Sequence, residues 1–116
     1  MSKPVKKISK DLTIREAVKI MDENNIGILP VVENEKPIGV ITERDILRRV
    51  VAKNENLDNK VETIMTKNPI TIEHDATILE ATRLMSENGF RHLLVLKAGK
   101  LVGIVTAKDV IEVLSA

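Results

Sequence analysis

The chain has 116 residues, of which 43% are apolar and 30% charged, and its formal net charge is +1. That is one small domain's worth of chain with an ordinary globular composition, so neither disorder nor an overall field recruiting nucleic acid or an anionic membrane is expected. It has no Cys, Trp or Tyr, and Phe90 is its one aromatic residue, which excludes disulfides, thiolate metal sites and cysteine nucleophiles and removes the stacking platforms of single-stranded nucleic acid binders.

The N-terminal MSKPVKKISKDL is too polar for a signal peptide, and no apolar run approaches the roughly 18 residues of a membrane span, so a cytoplasmic location is expected. Its basic run, Lys3, Lys6, Lys7 and Lys10, reads as a solvated edge. Thr13-x-x-Glu16 has the form of a capping box, and Ile14, Ala17, Val18 and Met21 follow at the spacing of one buried helical face. Asn24-Asn25 ends that helix. Two apolar runs, Ile26 to Val32 and Pro37 to Ile41, flank Glu33-Asn34-Glu35-Lys36 and predict a hairpin. A further helix carries Ile46, Leu47, Val50 and Val51. Residues 53–60, polar and rich in turn formers, read as a linker.

The same series of signals then returns. A shift of 64 residues pairs Met1 to Ala52 with Met65 to Ala116 without a gap, and about a third of the pairs are identical. Thr77-x-x-Glu80 predicts the second capping box, with Ile78, Ala81, Leu84 and Met85 behind it and Asn88-Gly89 at its end. His92 to Leu96 and Leu101 to Val105 form the second hairpin around Lys97-Ala98-Gly99-Lys100. Val110, Ile111, Val113 and Leu114 mark the last helix. The predicted fold class is α+β: repeat 1 over residues 1–52, the linker, and repeat 2 over residues 61–116. One copy alone would bury too little surface, so the two are expected to pack face to face with near-twofold symmetry and to leave related clefts between them.

Each copy passes from strand to helix through the same motif, GVITERD at residues 39–45 and GIVTAKD at residues 103–109. In one reading Thr42 and Thr106 are N-caps, and Asp45 and Asp109 favour the positive end of the helix dipole. In the other, orphan N–H groups and the Thr hydroxyl meet a phosphate while the carboxylate accepts from paired ribose hydroxyls. A cap and a nucleotide cradle use the same atoms, and spacing does not separate them.

The duplicated G-apolar-apolar-T-x-x-D unit resembles the cystathionine β-synthase (CBS) domain, and its tandem arrangement resembles a Bateman module. The resemblance covers essentially the whole chain, including Met65-Thr66-Lys67-Asn68-Pro69-Ile70-Thr71, similar to the family's entry strand, and Gly89 to Val95, similar to its G-apolar-R-H strand. It implies a regulatory module for adenosine compounds such as AMP, ADP, ATP or S-adenosylmethionine. The implied ligand-binding residues are Thr42, Arg44 and Asp45, their counterparts Thr106, Lys108 and Asp109, the basic pair Arg91 and His92, and Pro69, Ile70 and Thr71 around the base. A base held among aliphatic residues agrees with the near absence of aromatics. The halves differ, since Arg91 and His92 align with Gly27 and Ile28, and Pro69 and Ile70 with Val5 and Lys6. Unequal sites are therefore expected. The resemblance also implies a homodimer joined through helices.

His74 reads as exposed, and two distant histidines without an acidic cluster argue against a transition-metal site, although magnesium could arrive with a nucleotide. Glu43 and Asp45 flank Arg44 at a helix start and read as capping rather than as an acid/base pair. No Ser has a recognisable base beside it, and no GxGxxG or Walker loop occurs. No catalytic activity and no required cofactor are expected, and the regulated target should be a separate protein. Arg48, Arg49 and Lys53 could touch RNA or another subunit. A structural or assembly module with degenerate clefts is the second reading, and nucleic acid binding the third.

Overall fold

In a computed structural model, which describes residues 5–115, the chain forms two compact units, with a boundary in the chain after Pro69. Their helices and sheets make an α+β fold of two similar repeats.

The first unit, Lys6–Pro69, holds a four-stranded sheet in the order β1 (Ile8–Ser9), β2 (Ile28–Glu33), β3 (Lys36–Thr42), β4 (Thr66–Lys67). Strand β1 pairs parallel with β2, Ile8 facing Val31, and the other pairings are antiparallel. The hairpin turns on Asn34 and Glu35, both at positive φ (53° and 66°), the backbone that matches a two-residue turn to the twist of its strands. Helix α1 (Ile14–Asn24) starts as its sequence predicts: the Thr13 hydroxyl accepts from the Glu16 N–H at 3.1 Å, and the Glu16 carboxylate accepts from the Thr13 N–H at 3.2 Å. Asn25 closes it in the left-handed region. The segment read as a linker is strapped to this helix start, because the Ile14 and Arg15 N–H groups donate to the Asn59 and Leu57 carbonyls, each at 2.9 Å. Orphan donors of the first turn are satisfied there by backbone rather than by water.

Ile14, Ala17 and Met21 of α1 are buried against Leu29, Val31 and Ile41 of the sheet. Val61, Ile64 and Met65 complete this core from residues beyond the linker, Val61 at the start of a single 3₁₀ turn (Val61–Thr63). Helix α2 is α-helical only over Glu43–Asp45 and then widens into a π-helix, Ile46–Val51. Of its predicted apolar face Val50 is buried, whereas Leu47 and Val51 stand exposed.

The second unit, Val5 and residues 70–115 among those described, holds three strands in the order β5 (Thr71–Glu73), β6 (His92–Lys97), β7 (Lys100–Thr106), again parallel then antiparallel. Both hairpins slip register at equivalent places, Val31/Val32 and Val95/Leu96. The bulge thus belongs to the repeated unit. Helix α3 (Ile78–Asn88) buries Ala81 and Met85 on Ile72, Leu93 and Val95. Two expectations are corrected here. Thr77 accepts from the Glu80 N–H at 3.1 Å, but the reciprocal Glu80 bond of a full capping box is absent among the described residues. Ile78 is exposed, so the buried face of α3 begins one turn later. Helix α4 (Ala107–Ser115) is α-helical throughout and buries Val110, while Ile111, Val113 and Leu114 face outward.

Candidate functional site

The strand-to-helix junction of the first unit is a closed polar knot. Thr42 and Asp45 form a reciprocal cap: the Asp45 N–H donates to the Thr42 hydroxyl at 3.1 Å, and Asp45 Oδ2 accepts from the Thr42 N–H and hydroxyl, each at 3.0 Å. The other carboxylate oxygen is also engaged. Oδ1 accepts from the Thr66 hydroxyl at 2.9 Å and lies 3.5 Å from Arg49 Nε. Arg49 in turn donates through Nη1 to the Met65 and Ile64 carbonyls, at 3.1 and 3.4 Å. Asp45 is the one buried charged residue among those described, and burial of a carboxylate is tolerated because both oxygens are filled. Arg44, beside it in sequence, is exposed.

Thr66 and Arg49 are the partners that sequence reasoning missed. Arg49, which the sequence places with Arg48 and Lys53, is half-exposed and is engaged with Asp45 and two backbone carbonyls. The signal for Thr66 was present in its hydroxyl beside Met65, but its use could be seen only across 21 residues.

The second unit builds the same junction with fewer bonds. The Asp109 N–H donates to the Thr106 hydroxyl at 3.1 Å, and Asp109 Oδ2 accepts from the Thr106 N–H at 2.9 Å. Asp109 Oδ1 accepts no hydrogen bond from the described residues, and the side chain is only half-buried. The residue equivalent to Arg49 is Val113, so no cation faces this carboxylate from that position. The ladder places His92 opposite Thr106, and the Ala107 N–H donates to the Arg91 carbonyl at 2.9 Å. Arg91, His92, Thr106 and Asp109 therefore gather at one end of one sheet. Thr71 lies opposite Leu94 on the neighbouring strand, and the Ile70 carbonyl accepts from the Leu94 N–H at 3.1 Å. Lys108 is exposed and lies 3.9 Å from Glu112. Pro69, half-buried, ends the first unit rather than entering the second.

No group of three or more metal-ligating side chains occurs among the described residues, and no helix among them is long and apolar enough to cross a membrane. His74 is exposed, as expected. Lys3 of the basic N-terminal run lies outside the described residues.

The family profile described as "CBS domain" matches residues 1–52 and 61–116. Protein MJ0653 of Methanocaldococcus jannaschii is 49% identical over 97% of this chain and 59% of its own length. The chain spans 37% to 65% of the length of five curated relatives compared with it. Among solved structures, the CBS domain protein PAE2072 of Pyrobaculum aerophilum, complexed with AMP, is 28% identical with a TM-score of 0.88, covering 100% of this chain and 95% of that one. The CBS domain pair of protein MJ0100, in complex with 5′-methylthioadenosine and S-adenosyl-L-methionine, is 33% identical with a TM-score of 0.86 over 97% of this chain and 93% of that one.

Proposed function

Because the chain belongs to the CBS domain family, we propose that it is a regulatory module that binds an adenosine compound, AMP, ADP, ATP or S-adenosylmethionine, in clefts between its repeats and signals to a separate protein. Two copies associate through helix faces, the setting is cytoplasmic, and magnesium enters only with a nucleotide. The observation that carries the reading is the carboxylate of Asp109: one oxygen is held by its own cap, and the other accepts nothing from the described residues. That is the state in which a carboxylate can take a pair of ribose hydroxyls, and Arg91 and His92 at the same sheet end supply positive charge for phosphate. Thr106 adds its hydroxyl, Lys108 an exposed cation, and Ile70 and Thr71 a seat for the base. AMP and S-adenosylmethionine in the solved relatives support the ligand class.

The ligand reaches an effector only through a difference in affinity between two packings of the protein. Asp45 favours a second reading for repeat 1, because a carboxylate already saturated by Thr42, Thr66 and Arg49 acts as a structural tie, with Arg44 and Pro69 at a degenerate cleft. Thermal unfolding by circular dichroism tests both readings with AMP, ADP, ATP, S-adenosylmethionine and GTP. A ligand at 100 times its dissociation constant adds about 2.7 kcal/mol, a rise of several degrees. The rise is expected for an adenosine compound, retained in Asp45→Ala and lost in Asp109→Ala. If no adenosine compound moves the native midpoint, the assembly reading replaces the sensor.

A further inference from the structure

The two motif aspartates differ in what stands four residues beyond them. Asp45 is followed at that interval by Arg49 and Asp109 by Val113, positions that the 64-residue repeat makes equivalent. Four residues along a helix bring a side chain back to the same face, and acid before base is the order that pairs better there. Arg49 Nε accordingly lies 3.5 Å from Asp45 Oδ1. It is not a loose surface cation, because its Nη1 donates to the Met65 and Ile64 carbonyls at 3.1 and 3.4 Å and the guanidinium is thereby held beside the carboxylate. The Thr66 hydroxyl reaches the same oxygen at 2.9 Å, so Oδ1 of the buried Asp45 is engaged entirely from within the chain.

Val113 offers the second junction nothing of the kind. An isopropyl group neither donates a hydrogen bond nor balances a charge, and Val113 is exposed. Lys108, the one cation of α4, is paired instead with Glu112, at 3.9 Å. Asp109 therefore keeps its cap bond at Oδ2, 2.9 Å from the Thr106 N–H, while Oδ1 receives no hydrogen bond from the described residues. Two copies of one motif thus end in opposite states, and the side chains that make the difference lie outside the motif.

We propose that the residue four places beyond the motif aspartate sets whether that aspartate binds ligand: Arg49 closes repeat 1, Val113 leaves repeat 2 open, and each chain takes one adenosine compound. This rests on the reading of Asp109 as the acceptor of paired ribose hydroxyls and adds what selects it over Asp45. A guanidinium and a ribose diol are rivals, since both present adjacent donors to the lone pairs of a carboxylate. An arginine in place of Val113 would occupy Oδ1 before a ribose could. Opening repeat 1 would take two changes, because Thr66 and Arg49 fill the same oxygen, whereas closing repeat 2 takes one.

Isothermal titration calorimetry of AMP and 2′-deoxy-AMP with the native chain, Val113→Arg and Val113→Met tests the selection. The two nucleotides carry the same charge and differ by one ribose hydroxyl, so the ratio of their dissociation constants isolates the contact with the carboxylate from any general effect of an added cation. The native chain should bind about one AMP, about tenfold more tightly than the deoxy compound. Val113→Arg should weaken AMP about fivefold and bring the ratio to within about twofold of one, the size of effect that a well-placed ion pair at a half-buried carboxylate can exert. Val113→Met, long but without a donor, should keep both constants within about twofold of native. Circular dichroism should show the variants folded, since residue 113 is exposed. Two AMP bound per chain, a Val113→Arg chain that prefers AMP as strongly as the native one, or a Val113→Met chain weakened as much as Val113→Arg overturns the selection while leaving the ligand reading standing. A native chain that binds AMP without preferring it to the deoxy compound overturns the role of Asp109 and the selection together. A native chain that binds neither nucleotide removes the nucleotide reading itself, and the selection with it.

Discussion

Asp45 and Asp109 occupy equivalent places in the two repeats, yet their removal should have very different consequences for stability. In Asp45→Ala the chain loses two hydrogen bonds at Oδ2, one at Oδ1 and the ion pair with Arg49. A hydrogen bond to a charged group contributes about 1.5–3 kcal/mol, but the Thr hydroxyls and Arg49, being part-exposed, recover water, so their terms fall well below that range. The Thr42 N–H, a fixed backbone donor at the half-buried end of β3, is the donor least able to do so. The total loss comes to about 3 kcal/mol. Asp109→Ala removes a single acceptor at a half-buried site, held by the Thr106 N–H, for about 1 kcal/mol. At roughly 4 °C per kcal/mol for a chain of this length, midpoints should fall by about 12 °C and 4 °C. Urea unfolding followed by circular dichroism at fixed pH gives the same comparison as a difference in midpoint concentration. Equal losses, or a larger loss for Asp109→Ala, would refute the view that Asp45 is tied internally and Asp109 is not.

Thr66→Val keeps the side-chain volume and removes the hydroxyl on Asp45 Oδ1; it should cost about 1 kcal/mol alone and much less in an Asp45→Ala background, a coupling that a double-mutant cycle on the urea midpoints reads directly. Gly39→Ala should destabilise by about 1–3 kcal/mol in the same assay, because the new Cβ would lie 2.9 Å from the Thr66 carbonyl and 2.6 Å from Met65 Sδ, and backbone cannot yield as a side chain can. Ala98→Gly should raise the thermal midpoint, since Ala98 sits at φ 53° in the β6–β7 turn, where relief of the Cβ clash exceeds the added chain entropy by about 0.5 kcal/mol; an unchanged or lower midpoint counts against strain there.

Much of this fold is local enough to be legible in the chain. Thr13 and Glu16 stand three residues apart and find each other without help, and Asn25 and Gly89 end their helices because the left-handed backbone they adopt is a property of the residue type. The hairpins follow from apolar runs on either side of short polar turns. The 64-residue period makes the capped helices and the hairpins visible twice. What escaped depends on groups distant in sequence. Thr42-x-x-Asp45 looks the same as Thr106-x-x-Asp109 in one dimension, and the bonds that distinguish them come from Thr66, on another strand, and from Arg49, carried on the helix that follows. The π-winding of residues 46–51 has no local signature, since the same apolar spacing predicts an α-helix. By its resemblance the segment from Met65 to Thr71 is one entry strand, but Asn68 at φ 54° breaks it, and the two pieces join different sheets.

That break sets the order in which the protein can assemble as it leaves the ribosome. The sequence repeat ends before the first sheet is complete: β4 supplies its last strand, and Val61, Ile64 and Met65 fill its core. A nascent chain that has emerged only through residue 52 holds an entire copy of the repeat but lacks these pieces. The first unit must therefore wait for Lys67 before it can close, and the segment that closes it is the one from which the second repeat begins. The unit that was duplicated and the unit that folds are thus out of phase, and a fragment cut for separate expression would have to end after Pro69, not where the repeat does.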